Sequence, residues 1–562
     1  MYSNCACSCG WEGWPVLSEG TRLQAALEQW RDVLGASQVR LDHAGIAHVQ
    51  HDTMHSPAYA QAVIAPLSSE QVAACVVIAQ RHGIALHPIS TGHNWGYGCA
   101  ATGREHCVVM DLSGMARILS FDEELSVVTL EPGVTQGALA QYLQEHDLPY
   151  LTPVTGAGPS CSLLGNALER GYGITPQTDH FQAVLALEAV LPDGQIYRSP
   201  LALGAASPCF KWGVGPYLDG LFSQSGLGIV TQMSLALVRK PQVIQPFYFW
   251  IEDPARLGAA LEGVRRIIDQ AQGQVGGINL MNRTRLLTMA SEGQGIAGLP
   301  REQLRQSADS LGLPAWMGVG SIYCHAEQLP SLKRMIRREL KGFASRSMFK
   351  TRRQLSLAHG LLQRLPGSWA RRWQRTLEKM LLGVELMEGR PNEVALPLAY
   401  SAGAKPPPGP GLNPARDHCG LIWYAPVLPF KKQLIEDFLH AMSEQCQAQD
   451  MLCPITLTTL STRAIDCTVP LLFARNDPQA SARAHDCYRQ LFQLGKAQGI
   501  VPYRVPVAFM PLLADQEHPA WQLGARLKHA LDPHHLLSPG RYCLPVDTRA
   551  PLATPEPVAC HE

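Results

Sequence analysis

The chain has 562 residues, with 47 Lys and Arg against 47 Asp and Glu, so its formal net charge is zero. That balance gives the whole chain no electrostatic case for nucleic acid. With 46% hydrophobic and 17% charged residues it reads as a soluble globular protein long enough for two or more cored domains.

Residues 20–47 read as a helix followed by a short strand. Residues 69–82 have helical spacing, and 84–86 form a short apolar segment. The loop Pro88-Ile-Ser-Thr-Gly-His-Asn-Trp-Gly-Tyr-Gly98 follows, and then a strand at 107–112. Gly92, Gly96 and Gly98 have no Cβ, so a pyrophosphate can approach the backbone closely, and successive N–H groups can form an anion nest. The loop does not open a helix as G-x-G-x-x-G, and it is not a G-x-x-x-x-G-K-[ST] loop, so neither nucleotide fingerprint applies. Residues 126–131 read as a strand. Residues 135–146 read as a helix with a threonine at its start. Residues 183–191 and 196–198 read as two strands joined by an Asp-Gly turn.

Two more glycine-rich segments follow in this half. One runs from Thr155 to Gly173, the other from Phe222 through Gly228-Ile-Val-Thr231. A new region begins near Pro241, with a helix at 254–272. Residues 333–379 are rich in Arg and Lys with interleaved apolar residues. This stretch reads as a solvated helical face, with a membrane surface or anionic partner as the alternative. Residues 405–414 are a proline-rich loop. Residues 421–428 read as one buried strand, 468–473 as a strand whose proline favours an edge or bulge, and 480–498 as a helix.

The four spaced segments, ending with Leu537-Ser-Pro-Gly-Arg-Tyr542, carry a resemblance. In order and wording they resemble the flavoprotein family of vanillyl-alcohol oxidase and p-cresol methylhydroxylase, above all at 215–225 and Gly228-Ile-Val-Thr231. The resemblance covers roughly 55–240 and 415–545, and is weak between. It implies an α+β, two-domain flavoprotein: a PCMH-type FAD-binding domain at 1–240, completed by 501–562, and an α+β cap at 241–500.

The cofactor it implies is FAD. The first loop offers Pro88, Ser90, Thr91, Gly92, His93, Asn94, Gly96 and Gly98. The second offers Thr155, Gly156, Gly158, Pro159, Ser162, Gly165, Asn166, Arg170, Gly173 and Thr175. The third offers Gly228, Ile229 and Val230, and the C-terminal segment offers Arg541. Ser90-Thr-Gly-His93 is also similar to a covalent histidine context in the berberine bridge enzyme branch. A covalent 8α link through His93 and a non-covalent pyrophosphate contact both stay open. The position of the cap histidine that carries flavin in vanillyl-alcohol oxidase is Leu421 here. The relative's acidic residue falls in 154–157, which has no carboxylate. Asp417, Asp466, His180 and the out-of-register His418 are the remaining ionisable groups.

The family's phenol-binding residues carry over to Tyr97, Tyr503 and Arg504. An arginine and two hydroxyl donors favour a phenolate by charge and hydrogen bonding. The implied activity is hydride transfer to flavin N5 from a para-substituted phenol or aryl alcohol. A tailoring oxidation of a non-phenolic alcohol, amine or hydroxy acid is the second reading, and a scaffold or metal-binding protein with a vestigial flavin fold the third. Intact glycine loops argue against the last.

Oxygen or an electron-transfer protein is the expected electron acceptor, and a homodimer the expected assembly. No run nears 18 consecutive apolar residues, so no transmembrane helix is expected. The first residues lack the basic and apolar regions of a secretory signal, which points to the cytoplasm. The 16 scattered cysteines suit free thiols. No metal is expected. Cys5, Cys7 and Cys9, with Cys560-His561, read as mobile tails because their spacing is not that of a structural zinc site, with a soft-metal cluster as the alternative.

Overall fold

The helix Ser69–His82 begins where the Ser68 side chain accepts from the Gln71 N–H, and ends where Gly83 turns left-handed. Its buried residues include Val72, Cys75, Val76 and Ala79, a spacing that collects them on one side. They share a core with Ile64, Leu86 and Val108. Strands Ala60–Ile64 and Ala85–Ile89 both run parallel to Cys107–Asp111, which lies between them. All five residues of that central strand are buried, as a covered parallel strand requires. These features come from a computed structural model that describes residues 19–56, 60–200, 208–291, 295–515 and 517–542. The two cysteine-bearing tails lie outside those residues. The helix and short strand expected at 20–47 are Glu19–Leu34 and Val39–Arg40. A further helix, His43–Gln50, carries no sequence signal of its own.

A second sheet holds five antiparallel strands in the order Ile118–Asp122, Val127–Leu130, Ile229–Ala236, Val184–Val190 and Ile196–Arg198. The helix Gln136–Glu145 is capped as expected, with Thr135 accepting from the Ala138 N–H. The third glycine segment leads directly into Ile229–Ala236 and so delivers its loop to this sheet's end.

From Val243 onward the chain builds an eight-stranded antiparallel sheet. Its main path is Arg346–Phe349, Val243–Ile251, Trp316–Cys324, Asn279–Asn282, Thr456–Thr459, Ala464–Phe473 and Gly420–Tyr424. The single strand expected at 421–428 is two strands, Gly420–Tyr424 and Val427–Pro429, both paired with Ala464–Phe473. Pro426 explains the break, because it has no N–H and restricts Ala425 before it. Pro470 pairs with Trp423 on one side only, since Thr456–Thr459 reaches no further than Thr468. The proline thus sits at a local edge, as expected.

The period of two divides this sheet. Phe247, Phe249, Leu280, Leu457, Ile465 and Val469 face a core shared with helices Leu257–Gln270, Leu329–Leu340, Lys432–Ala448 and Pro478–Ala497. Each such fully buried side chain contributes roughly 1.5–3 kcal/mol. The alternate residues make cross-strand rows on the opposite face. One row is Arg346, Trp250, Met317, Met281, Thr456 and Thr468; the next is Met348, Tyr248, Val319, Asn279, Thr458 and Asp466.

The last segment returns to the first sheet. Leu86 donates to the Leu536 carbonyl and accepts from the Ser538 N–H, both at 2.8 Å. The buried Lys528 ammonium donates to Asp532 at 2.6 Å and to the carbonyls of Gly226 and Leu537 at 2.7 Å. Those bonds satisfy all three of its protons and tie the C-terminal segment to the third glycine loop. The basic stretch is helical apart from the strand Arg346–Phe349, and it is not wholly a solvated face, because Arg346, Arg372 and Lys379 line a cavity. Its helices Arg352–Leu362 and Ser368–Met387 also expose Leu357, Leu361, Trp373 and Trp369, the last 63% exposed. No helix among the described residues is long and apolar enough to cross a membrane.

Candidate active site

A cavity of about 1390 Å³ lies between the first two glycine loops and the polar face of the eight-stranded sheet. Ligand pockets are commonly 300–1,000 Å³, so this one has room for a dinucleotide and a substrate together. Tyr97, Tyr503 and Arg504 all line it, although more than 400 residues separate the first from the others. The Arg504 guanidinium lies over the Tyr97 ring, 4.4 Å from its centre. Tyr172 joins them, its ring 4.6 Å from that of Tyr503. The Val507 N–H donates to the Tyr97 carbonyl and the Tyr503 N–H to that of Ala425, which fixes both tyrosine backbones.

Arg504 is held from the side of the glycine loops. Its Nη2 donates to Asn94 Oδ1 at 2.5 Å, and its Nε lies 3.3 Å from Glu169 Oε2 without hydrogen-bond alignment. Glu169 also pairs with Arg541 and accepts from the Tyr542 hydroxyl at 2.8 Å. Two guanidiniums therefore share one carboxylate, and the network keeps one positive charge in excess. Burial works against the Arg504 cation, but Glu169 and the two tyrosines outweigh it and hold it firmly protonated. Burial would also raise Glu169, yet Arg541 and Arg504 bring it below the usual carboxylate range. Gln224 adds support by donating to the Tyr503 carbonyl at 2.8 Å.

Asp466 is the other carboxylate in the cavity, and it behaves differently. It is 1% exposed, and burial lifts its pKa to about 7. Its Oδ1 has no hydrogen-bond partner, and the same is true of the nearby Tyr172 hydroxyl, which interacts with it without hydrogen-bond alignment. Burial likewise pushes Tyr97 and Tyr503 up, so both hydroxyls stay protonated donors at neutral pH. Of the four ionisable alternatives, Asp466 alone lines the cavity. Asp417 pairs with Tyr400 and Arg416, His418 contacts Arg475, and His180 bonds Asn166 behind the wall.

Residues 60–199 match the family described as FAD binding domain. Over 535 residues the chain is 33% identical to 1'-carboxy-chondrochloren decarboxylase of Chondromyces crocatus, covering 92% of this chain and 97% of that one. The chain belongs to the vanillyl-alcohol oxidase and p-cresol methylhydroxylase family of FAD-dependent oxidoreductases. It is 27% identical to the 4-cresol dehydrogenase [hydroxylating] flavoprotein subunit of Pseudomonas putida, over 92% of this chain and 94% of the relative. The crystal structure of p-cresol methylhydroxylase with substrate bound superposes with a TM-score of 0.81 at 24% identity, covering 93% and 97% of the two chains.

The cavity suits the FAD of this family. The consecutive N–H groups of Thr91, Gly92, His93, Asn94 and Trp95 have no acceptor among the described residues, the arrangement that receives a phosphate. Pro88, Ser90, Thr91, Gly92, His93 and Asn94 line the cavity. So do Thr155, Gly156, Ser162, Gly165, Asn166 and Gly173, and Gly228, Ile229, Val230 and Arg541 complete the set. Gly158, Pro159, Arg170 and Thr175 lie outside the lining. Arg170 turns away to Ser223, and its neighbour Glu169 enters the cavity instead.

Gly96 and Gly98 also lie outside, and their lack of a side chain serves packing. A Cβ on Gly96 would sit 2.2 Å from Trp423 Cδ1, and one on Gly98 2.7 Å from Val507 Cγ2. His93 lines the cavity with Nδ1 3.2 Å from the Ser160 carbonyl and its ring stacked 5.0 Å from Trp95. Burial lowers its pKa, so the imidazole is neutral at pH 7. Leu421, at the register of the relatives' cap histidine, lines the cavity as an apolar residue.

Tyr172, Asp466 and Glu169 are the site residues that motif matching does not select. Tyr172 does carry a signal: Gly171-Tyr-Gly173 repeats the Gly96-Tyr-Gly98 wording. Asp466 is placed by register alone.

Proposed function

We propose that the chain oxidises a para-substituted phenol or aryl alcohol, with hydride leaving the benzylic carbon for flavin N5. The observation that carries this reading is the convergence of Tyr97, Tyr503 and Arg504 in one cavity around an excess positive charge. A free phenol is only about 0.1% ionised at neutral pH. Arg504 and the two tyrosine hydroxyls stabilise the phenolate, whose electron density assists hydride departure at the para position. Bound FAD supplies the two-electron acceptor. Asp466, which titrates near neutrality, takes up or returns a proton beside Tyr172 and Tyr503. Leu421 and Trp423 give the cavity apolar wall, which exclusion of water from the reaction requires. We place the FAD-binding domain at 1–240 with 501–562 and the cap at 241–500, in a cytoplasmic homodimer whose flavin is reoxidised by oxygen or an electron-transfer protein.

The test is a panel of para-alkyl phenols and aryl alcohols under air. Flavin bleaching and para-oxidised product are the expected outcome. The likeness to a decarboxylase over nearly the whole chain favours a second reading, a tailoring oxidation in which the substrate is an acid. Carbon dioxide release without any para-alkyl phenol turnover distinguishes it.

His93 is the proposed covalent anchor of the flavin, its neutral ring being the nucleophilic form. Flavin fluorescence should then stay with the protein band in a denaturing gel and vanish in His93→Ala. Release of flavin from the wild type in acid makes His93 a non-covalent contact.

A further inference from the structure

The cavity extends beyond the tyrosine cluster to a wall built by helices Arg283–Ala290 and Ser368–Met387. Arg285 belongs to this wall. Its Nε and Nη1 atoms are buried and have no hydrogen-bond partner. No carboxylate among the described residues pairs with it, and burial alone moves its pKa, down to about 10. An arginine left in this state is costly, because a desolvated charge normally finds a counter-ion.

The surroundings sharpen the point. Among the described residues the lining holds two carboxylates, Glu169 and Asp466, and both belong to the tyrosine end. Arg346, Arg372 and Lys379 also line the cap side. Arg346 lies over the Trp250 ring at 4.4 Å. Arg372 donates to the Leu311 carbonyl and Lys379 to that of Met289, both at 2.9 Å. The Leu311 carbonyl satisfies a proton of Arg372 and leaves its charge in place. Thr456 Oγ1, on the neighbouring sheet face, is likewise buried without a partner and can donate to an oxyanion.

We propose that Arg285 anchors a second, anion-binding subsite, and that the substrate carries a carboxylate on its para substituent. Arg285 pairs with that carboxylate while Arg504 and the tyrosines hold the phenolic oxygen. The proposal rests on the phenol reading for its geometry, and its test separates the two.

The experiment uses FAD-loaded enzyme whose flavin is first reduced with dithionite and kept free of oxygen, so that no ligand is oxidised, and follows binding by tryptophan quenching. The ligands are 3-(4-hydroxyphenyl)propanoate, the neutral 4-propylphenol and the non-phenolic 3-phenylpropanoate. Wild type should bind the hydroxy acid more tightly than 4-propylphenol by roughly ten- to a hundredfold, the worth of one charge-assisted hydrogen bond. Arg285→Met should abolish that preference and leave 4-propylphenol within about twofold, and Arg285→Lys should restore part of it. Ligand-free Arg285→Met should melt at the wild-type temperature or above, because an unpartnered buried cation is gone. An acid preference that survives in Arg285→Met overturns the subsite. So does equal weakening of all three ligands with a lower melting temperature, which marks a structural role. If the hydroxyl adds nothing to binding but 3-phenylpropanoate still depends on Arg285, the phenol reading fails and the subsite stands.

Discussion

Asp466 and Glu169 are two buried carboxylates in one cavity with opposite behaviour, and the difference is countercharge. Glu169 has Arg541 and Arg504, while Asp466 has only hydroxyl and backbone neighbours. Asp466 therefore titrates near 7, and activity should rise with pH through that value if it accepts a proton. Asp466→Asn should remove this limb from the kcat/KM profile. Stability gives an independent sign. The folded state holds the Asp466 proton over the range from the ordinary carboxylate pKa up to about 7, where the unfolded chain has lost it. Stability should fall across that window by at most about 1.4 kcal/mol per pH unit, and Asp466→Asn should flatten the slope. A wild-type melting temperature that is level from pH 4.5 to 7.5, or one that rises, contradicts the assignment. The sequence named Tyr97, Tyr503 and Arg504 because they sit in short motifs. It left Asp466 among equals, because only the pairing of Thr458 with Asp466 puts this side chain on the cavity face.

At the scale of elements, the first loop does two jobs with different residues. Thr91 to Trp95 present free N–H groups, while Gly96 and Gly98 let the loop pack under the cap. Gly96 has φ +77° and no room for a methyl group beside Trp423, whose N–H donates to the Gly96 carbonyl at 3.1 Å. Gly96→Ala should cost roughly 2–4 kcal/mol, the sum of left-handed strain and overpacking. Adding Trp423→Ala should recover the packing share only, which a double-mutant cycle on thermal melting measures. Purely additive losses would mean that the two residues do not meet. Helices with capping residues, such as Ser69–His82 and Gln136–Glu145, are legible from sequence because their signals are local. The split at Pro426 is local too, but 421–428 is apolar throughout and masks it. The polar face of the cap sheet is written as Thr456, Thr458, Asp466 and Thr468, four residues that look ordinary until their two strands are paired.

Across the whole molecule, the site is assembled from segments near 97, 172, 466 and 504, and no two of them are adjacent elements. The glycine loops are readable because each is a short, contiguous motif whose signal is local in the sequence. The cap wall was not readable, because Arg285 is one arginine among many until its missing partner is seen. The central claim is that Arg504 stabilises a phenolate during flavin reduction. The most direct test mixes FAD-loaded enzyme with a para-alkyl phenol in the absence of oxygen and follows the rate at which the flavin absorbance bleaches. Wild type should be reduced, and Arg504→Ala should be slower by roughly thirty- to a thousandfold, equivalent to about 2–4 kcal/mol. Arg504→Lys should recover only part, since it lacks the planar fork. Equal reduction rates for wild type and Arg504→Ala, with the flavin fully bound in both, would contradict the account.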